Sequence, residues 1–339
     1  MKIKGISVDL VVPGLFDIPL EEIGTGFLQN NLSNLNHFLR FASPVNNQLF
    51  DIDRILCRQL GFSDLDYLPY AQAFADESCD SDGSIILIKP VHLKTDINNA
   101  VMYPLLNDQT DIDDSSIIIK DLADYFKADC NIDSIDNSVS LMRLNKIQPP
   151  AQTPHYLSVL GKKAKPFIDQ SKQNLDWYRL INEMQMFMFQ HEINQNRFQL
   201  GLPMINSLWY WGAGRLPILA NKEICWYCDD LVLQKLAIKF SCQVNSIDQF
   251  ISQPPKQNAL IVDFSILQSL KSPESASLAD VLMAFETRIL EPLVQYPAIS
   301  NIQLHSAADT NLLYQKFSQY KFWRRNKTLT DFTSAEFNL

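Results

Sequence analysis

The sequence predicts an α/β fold: a central, mostly parallel sheet flanked by helices, with a smaller α+β subdomain inserted into it. Three observations carry this expectation. Apolar runs of strand length alternate with stretches of helical periodicity. Several of those runs are continuous rather than alternating, as strands covered on both faces require. The chain has 339 residues, 46% of them apolar and 20% charged, enough for one large domain or two ordinary ones with a sizeable core.

Taken in order, strands are expected over 6–12, 85–89, 116–119, 139–144, 208–211, 259–264 and 302–305. Helices are expected over 31–41, 50–60, 175–190, 230–240 and 278–293. The third carries Trp177, Leu180, Ile181, Met184, Phe187 and Met188 on one stripe. The last opens with Ser277 and, three residues on, Asp280, a start of capping-box type. Its apolar face, Leu278, Val281, Leu282, Phe285 and Ile289, is expected to pack on the main sheet near 259–264. The region 74–169 differs in being rich in Asp, Asn and Ser and in ending near the proline loop 148–154. It is read as the inserted subdomain, with 1–73 and 170–339 forming the core. Within it, the acidic stretch Asp108, Asp111, Asp113, Asp114 lacks the glycine and terminal glutamate of a calcium loop and reads as a solvated turn.

Composition narrows the partners. The net charge of -9 opposes non-specific binding to nucleic acid, which needs an excess of Lys and Arg at the phosphates. The chain has 10 glycines, where average usage of about 7% would give roughly 24. Neither G-x-G-x-x-G nor the P-loop pattern occurs. No apolar run approaches the length of a spanning helix, and Asp9 interrupts any leader-like apolar core. Six scattered cysteines suit reduced thiols, so a cytoplasmic protein with no membrane and no nucleic-acid partner is expected. Cys225-Trp226-Tyr227-Cys228 reads as two structural thiols; a redox pair would have to follow a strand and open a helix.

The segment from His191 to Pro217 is the most informative. A long helix ends near His191, a polar turn offers Asn194, Asn196 and Arg197, and Gly201 and Pro203 reverse the chain. A strand with Trp209 and Trp211 on one side then leads into Gly212-Ala213-Gly214-Arg215. Glycines directly after a strand let backbone N–H groups approach a ligand, and arginines beside them suit bidentate anion recognition. The competing reading is a buried Trp pair and two arginines paired with nearby acids such as Glu192 or Asp229.

This segment resembles the N-x-x-R-x-x-x-G-x-x-x-A/I-N-x-x-W-x-W-G-x-G stretch of archaeal-type cofactor-independent phosphoglycerate mutases, members of the alkaline phosphatase superfamily. It is similar above all to a bacterial, mutase-like group related to them. Asn194, Arg197, Gly201, Asn206, Trp209, Trp211, Gly212 and Gly214 match the pattern. So do the flanking pieces Lys89-Pro90-Val91-His92-Leu93-Lys94-Thr95-Asp96, Asn182-Glu183-Met184-Gln185-Met186 and Phe322-Trp323-Arg324-Arg325. The resemblance implies an alkaline phosphatase-like core with a subdomain over the site. It also implies two divalent metals held by Asp and His at the strand ends, and a serine nucleophile.

The chain departs from that pattern where the chemistry lies. Pro13 stands where the resemblance puts a metal-binding aspartate, Ser277 where it puts a histidine, and 304–310 lacks the Asp-His pair. No serine occurs in 46–61. The expectation is therefore a catalytically degenerate mutase-like protein, with no catalytic residues, no metal and no cofactor. It would bind a small phosphorylated or carboxylate metabolite through Asn194, Arg197, Asn206, Trp209, Trp211, Gly212, Gly214 and Arg215. Two alternatives stand beside it. One is a phosphomutase or phosphatase dependent on Mn or Zn, whose shifted ligands would be Asp9, Asp17, Asp263, His305 and Asp309. The other is a scaffold without a ligand.

Overall fold

The computed structural model describes residues 5–45, 51–62, 65–75, 84–95, 100–103, 105, 109–150, 153–164, 166–168, 174–217, 224–271, 277–307, 311–321 and 323–332. The chain divides into two compact units, Met1–Phe62 with Leu219–Leu339, and Ser63–Ile218. In chain order the first seven strands are β1 (Ile6–Val11), β2 (Ser43–Val45), β3 (Ile85–Thr95), β4 (Ala100–Tyr103), β5 (Cys130–Ser134), β6 (Ser140–Leu144) and β7 (Ser207–Trp211). Then follow β8 (Cys225–Cys228), β9 (Gln243–Asn245), β10 (Ala259–Val262), β11 (Ile299–His305) and β12 (Asn311–Gln315).

The first unit holds a seven-stranded sheet in the order β2-β12-β11-β1-β10-β8-β9. The five strands from β11 to β9 run parallel, and β12 and β2 close one edge antiparallel. The α/β core with a mostly parallel sheet is thus present. Val8, Leu10, Ile261, Ile302 and Leu304 point to one face and bury against Leu35, Phe38 and Leu39 of helix Ser33–Phe41 and against Leu282 and Phe285. Helix Leu278–Phe285 continues through a π turn, Glu286–Leu290, into Glu291–Gln295. Leu282, Phe285 and Ile289 are buried as the periodicity requires, with Leu278 and Val281 partly covered. Ser277 sits at its N-cap without making a side-chain cap bond. The buried Glu286 acts structurally, for its carboxylate accepts from the backbone N–H groups of Asn34 and Leu35 and so caps helix Ser33–Phe41 from a distance.

The second unit is built on an antiparallel sheet in the order β4-β3-β6-β5, with β7 also pairing β3. The long strand β3 is shared: its first half lies between β6 and β7, and its second half pairs β4. Helices Gln109–Tyr125 and Leu175–Gln190 supply Ile118, Ile119, Leu122, Trp177, Leu180 and Met184 to its core.

Three features depart from the sequence reading. The run 116–119 is helical, because Ser115, Ile118, Ile119 and Leu122 bury at helical spacing and outweigh the local β preference of three isoleucines. The acidic stretch there opens that helix, with Asp111 in its first turn and buried, rather than forming a solvated turn; Asp108 lies outside the described residues. The strand at 207–211 belongs to the second sheet, and the division into units falls at 62/63 and 218/219 instead of bounding an insertion at 74–169.

Candidate functional site

Within the second unit, the segment from Asn194 to Arg215 turns its polar groups inward. Asn194 is fully buried; its amide donates to the carbonyls of Met188 and Ile205 (2.7 and 2.8 Å) and its oxygen accepts from Ile205 N–H (2.8 Å). Asn206 copies a strand bond, accepting from Leu93 N–H and donating to Leu93 O. Arg197, 2% exposed, binds Asp111 (2.6 Å), Asp114 (2.7 Å) and Pro203 O (2.8 Å). Burial opposes its charge, but the bonds to the two carboxylates prevail and hold its pKa above the ordinary arginine value. Its fork is thereby filled by acids from the same unit, neither Glu192 nor Asp229; the latter binds Arg288.

The glycines serve packing as well. Gly212 has a φ of +75°, and a Cβ there would lie 2.8 Å from Tyr70 Cβ and 3.0 Å from Tyr70 N. The close approach lets Ala71 N–H reach Gly212 O, while the Gln72 amide donates to Gly214 O. Trp209 donates to Pro154 O, and Trp211 packs beside His155 and Tyr156. Buried His155 accepts from Leu157 N–H, and burial, helped by Lys89, lowers its pKa to about 3. Arg215 alone of the expected set is exposed. Of the eight residues expected to bind a ligand, seven are thus buried or half-buried, and the Arg197 fork is occupied by Asp111 and Asp114.

The other place to look is the carboxyl end of the parallel strands, where ligands gather in open α/β sheets. Backbone bonds draw the strand ends together there: Val12 N–H to His305 O, Gly14 N–H to Ser306 O and Asp263 N–H to Val11 O. In register, Asp9 lies beside Gln303 and Val11 beside His305, so Asp9 and His305 share a sheet face. His305 Nε2 is 3.0 Å from Asp9 Oδ1 and 3.4 Å from Gln59 Nε2. The contact with Asp9 places a proton on Nε2. His305 Nδ1 is buried with no hydrogen-bond partner among the described residues, and both amide atoms of Asn311, the residue paired with His305 across β11 and β12, are in the same condition.

The remaining acids considered as ligands form no metal-type cluster with this pair among the described residues. Asp263 accepts from Ser265 N–H and Oγ–H, and burial raises its pKa despite those bonds. Asp17 lies in the turn after β1, its N–H bonded to Gly14 O, and Asp309 is outside the described residues. Among the described residues no three His, Cys, Asp or Glu side chains come together as a metal site. With Pro13 just past β1, the donor set among the described residues does not fit a two-metal centre. Cys225 and Cys228, three apart on β8, point to opposite faces, and burial raises both thiol pKa values; neither opens a helix.

Sequence reasoning missed Asp111 and Asp114, whose three-residue spacing faces one way once the segment is helical. It also missed Gln59 and Asn311, which no local pattern marks.

No family model and no curated protein matches the chain. Among solved structures it is similar to the PH0037 protein from Pyrococcus horikoshii, at 13% identity over 92% of this chain and 88% of that one, with a TM-score of 0.52. It is more weakly similar to a cofactor-independent phosphoglycerate mutase from Thermoplasma acidophilum DSM 1728, at 15% identity over 91% and 89%, with a TM-score of 0.39. The first likeness shows a shared fold.

Proposed function

We propose that the chain is a phosphoglycerate mutase-like protein that recognises a small phosphorylated or carboxylate metabolite without transferring phosphoryl groups, at the carboxyl ends of β1 and β11. The observation that carries the location is a pair of buried side chains, His305 and Asn311, whose Nδ1 and amide atoms have no partner among the described residues. Polar atoms enclosed without partners are costly, and a native fold keeps them where water or a ligand completes them. With Nε2 bonded to Asp9, His305 is left with Nδ1 enclosed, and the Asn311 amide presents a donor on the same sheet face. The amide donor suits one oxygen of a phosphate or carboxylate, and a water or a ligand hydroxyl completes Nδ1.

The reading of lost phosphoryl transfer rests on the residues. Proline at position 13 offers no ligand, and the Asp9–His305 pair has no third partner of metal-binding type among the described residues. A Mn- or Zn-dependent enzyme would need such partners. The test is a thermal melt with 3-phosphoglycerate and inorganic phosphate, run beside a mutase assay with Mn or Zn. A raised melting temperature without turnover supports the proposal. Turnover that responds to metal, or no stabilisation by either anion, overturns it.

A further inference from the structure

We infer that the surface carried by residues 316–321 and 323–327 docks the first unit on an anionic phospholipid bilayer. The segment Lys316 to Lys327 contains five cations and no acid, in a chain whose net charge is -9. A local field that opposes the global one marks an interaction surface more firmly than a basic patch on a basic protein. Three large aromatic side chains stand among these cations: Phe317 is 79% exposed, Tyr320 69% and Trp323 70%. Phe317 and Tyr320 are three apart on the 3-10 helix Lys316–Tyr320, where residues at that spacing eclipse one another.

The patch is fastened to the fold. Arg324 donates to Phe41 O, Ala42 O and Ser43 Oγ, and its own carbonyl accepts from Arg40 Nε. Lys316 Nζ donates to Tyr296 O. Such anchoring fixes the backbone that carries the aromatics and so lowers the ordering cost on binding. Lys321 and Arg325 are exposed between and beside them.

Exposure above two thirds decides the kind of partner. Bases of single-stranded nucleic acid stack in grooves that shelter the aromatic faces. Aromatics that project this far, flanked by Lys and Arg, match the headgroup region instead, where Trp and Tyr settle at the interface and cations meet anionic lipid. The expectation of no membrane partner rested on the lack of a spanning run and of a leader-like apolar core. A surface contact needs neither, and no described helix is long and apolar enough to cross a membrane.

The experiment is co-sedimentation of the full chain with vesicles of phosphatidylcholine alone and with added phosphatidylserine. Binding is expected with phosphatidylserine only, weakening as salt is raised. Trp177, Trp209, Trp211 and Trp226 are buried, so quenching by brominated lipid reports Trp323. Lys321→Glu with Arg325→Glu should weaken binding by about fivefold or more for each cation lost, and Tyr320→Ser with Trp323→Ser should abolish quenching, both without moving the melting temperature. The inference is overturned by absence of vesicle binding, by equal binding of the charge-reversed variant, or by binding to a single-stranded oligonucleotide in place of vesicles.

Discussion

Arg197 Nη2 lies 2.6 Å from Asp111 Oδ1 across 86 residues of sequence, and both side chains are almost wholly enclosed. Together with Asp114 they tie helix Glu192–Gln199 to helix Gln109–Tyr125. Removing the cation strands two carboxylates in a poorly solvated place, so Arg197→Met should cost about 3–5 kcal/mol. Urea unfolding monitored in the second unit measures it. A loss below about 1 kcal/mol would mean that the ion pair is incidental to stability.

His155 makes the second unit acid-sensitive. Burial first, and Lys89 second, lower its pKa to about 3, so the folded chain holds it neutral while the unfolded chain protonates near 6.5. The unfolded state therefore binds more protons between those values, and stability is full above about pH 6.5 and falls as pH drops toward 3. The slope from this group approaches about 1.4 kcal/mol per pH unit. His155→Asn keeps an acceptor for the Leu157 N–H and removes the titration. Its stability between pH 6 and 4 should fall less steeply than the wild type's, and equal slopes would show that His155 is not the group responsible.

Phe285 is 2% exposed on the face that covers the parallel sheet. Phe285→Ala should cost about 3–5 kcal/mol by denaturant unfolding, through lost transfer energy and a residual cavity. A smaller loss would place the helix outside the core.

The sequence made some of this legible and hid the rest for physical reasons. β10 announces itself because a strand covered on both faces is apolar throughout, as Ala259–Val262 is, while β1 and β11 show in their alternation, Val8 and Leu10 against Asp9, Ile302 and Leu304 against Gln303. Helix Leu278–Phe285 shows in its periodicity, yet nothing local reveals the π turn that sends Glu286 to cap Ser33–Phe41. Three isoleucines at 117–119 suggested a strand, and that reading concealed the helix face on which Asp111 and Asp114 meet Arg197. The motif at 194–215 was visible, but a pattern of Asn, Arg, Trp and Gly is equally served by ligand binding and by internal hydrogen bonding. The partners, Asp111 and Asp114 for Arg197 and backbone groups for Asn194, are far from that motif in sequence or invisible in its pattern. Asp9 and His305 are 296 residues apart, and their contact depends on β11 lying beside β1, a fact of topology that no window of sequence contains.

The most direct test of the central claim is a calorimetric titration of 3-phosphoglycerate into the wild type and into Asn311→Ala. Asn311 is enclosed and has no partner among the described residues, so its loss removes a donor without breaking a known internal bond. The account requires saturable binding by the wild type, weakened about tenfold or more in the variant, as loss of a hydrogen bond to a charged group entails. Equal affinities in the two proteins, or no binding by either, would contradict it.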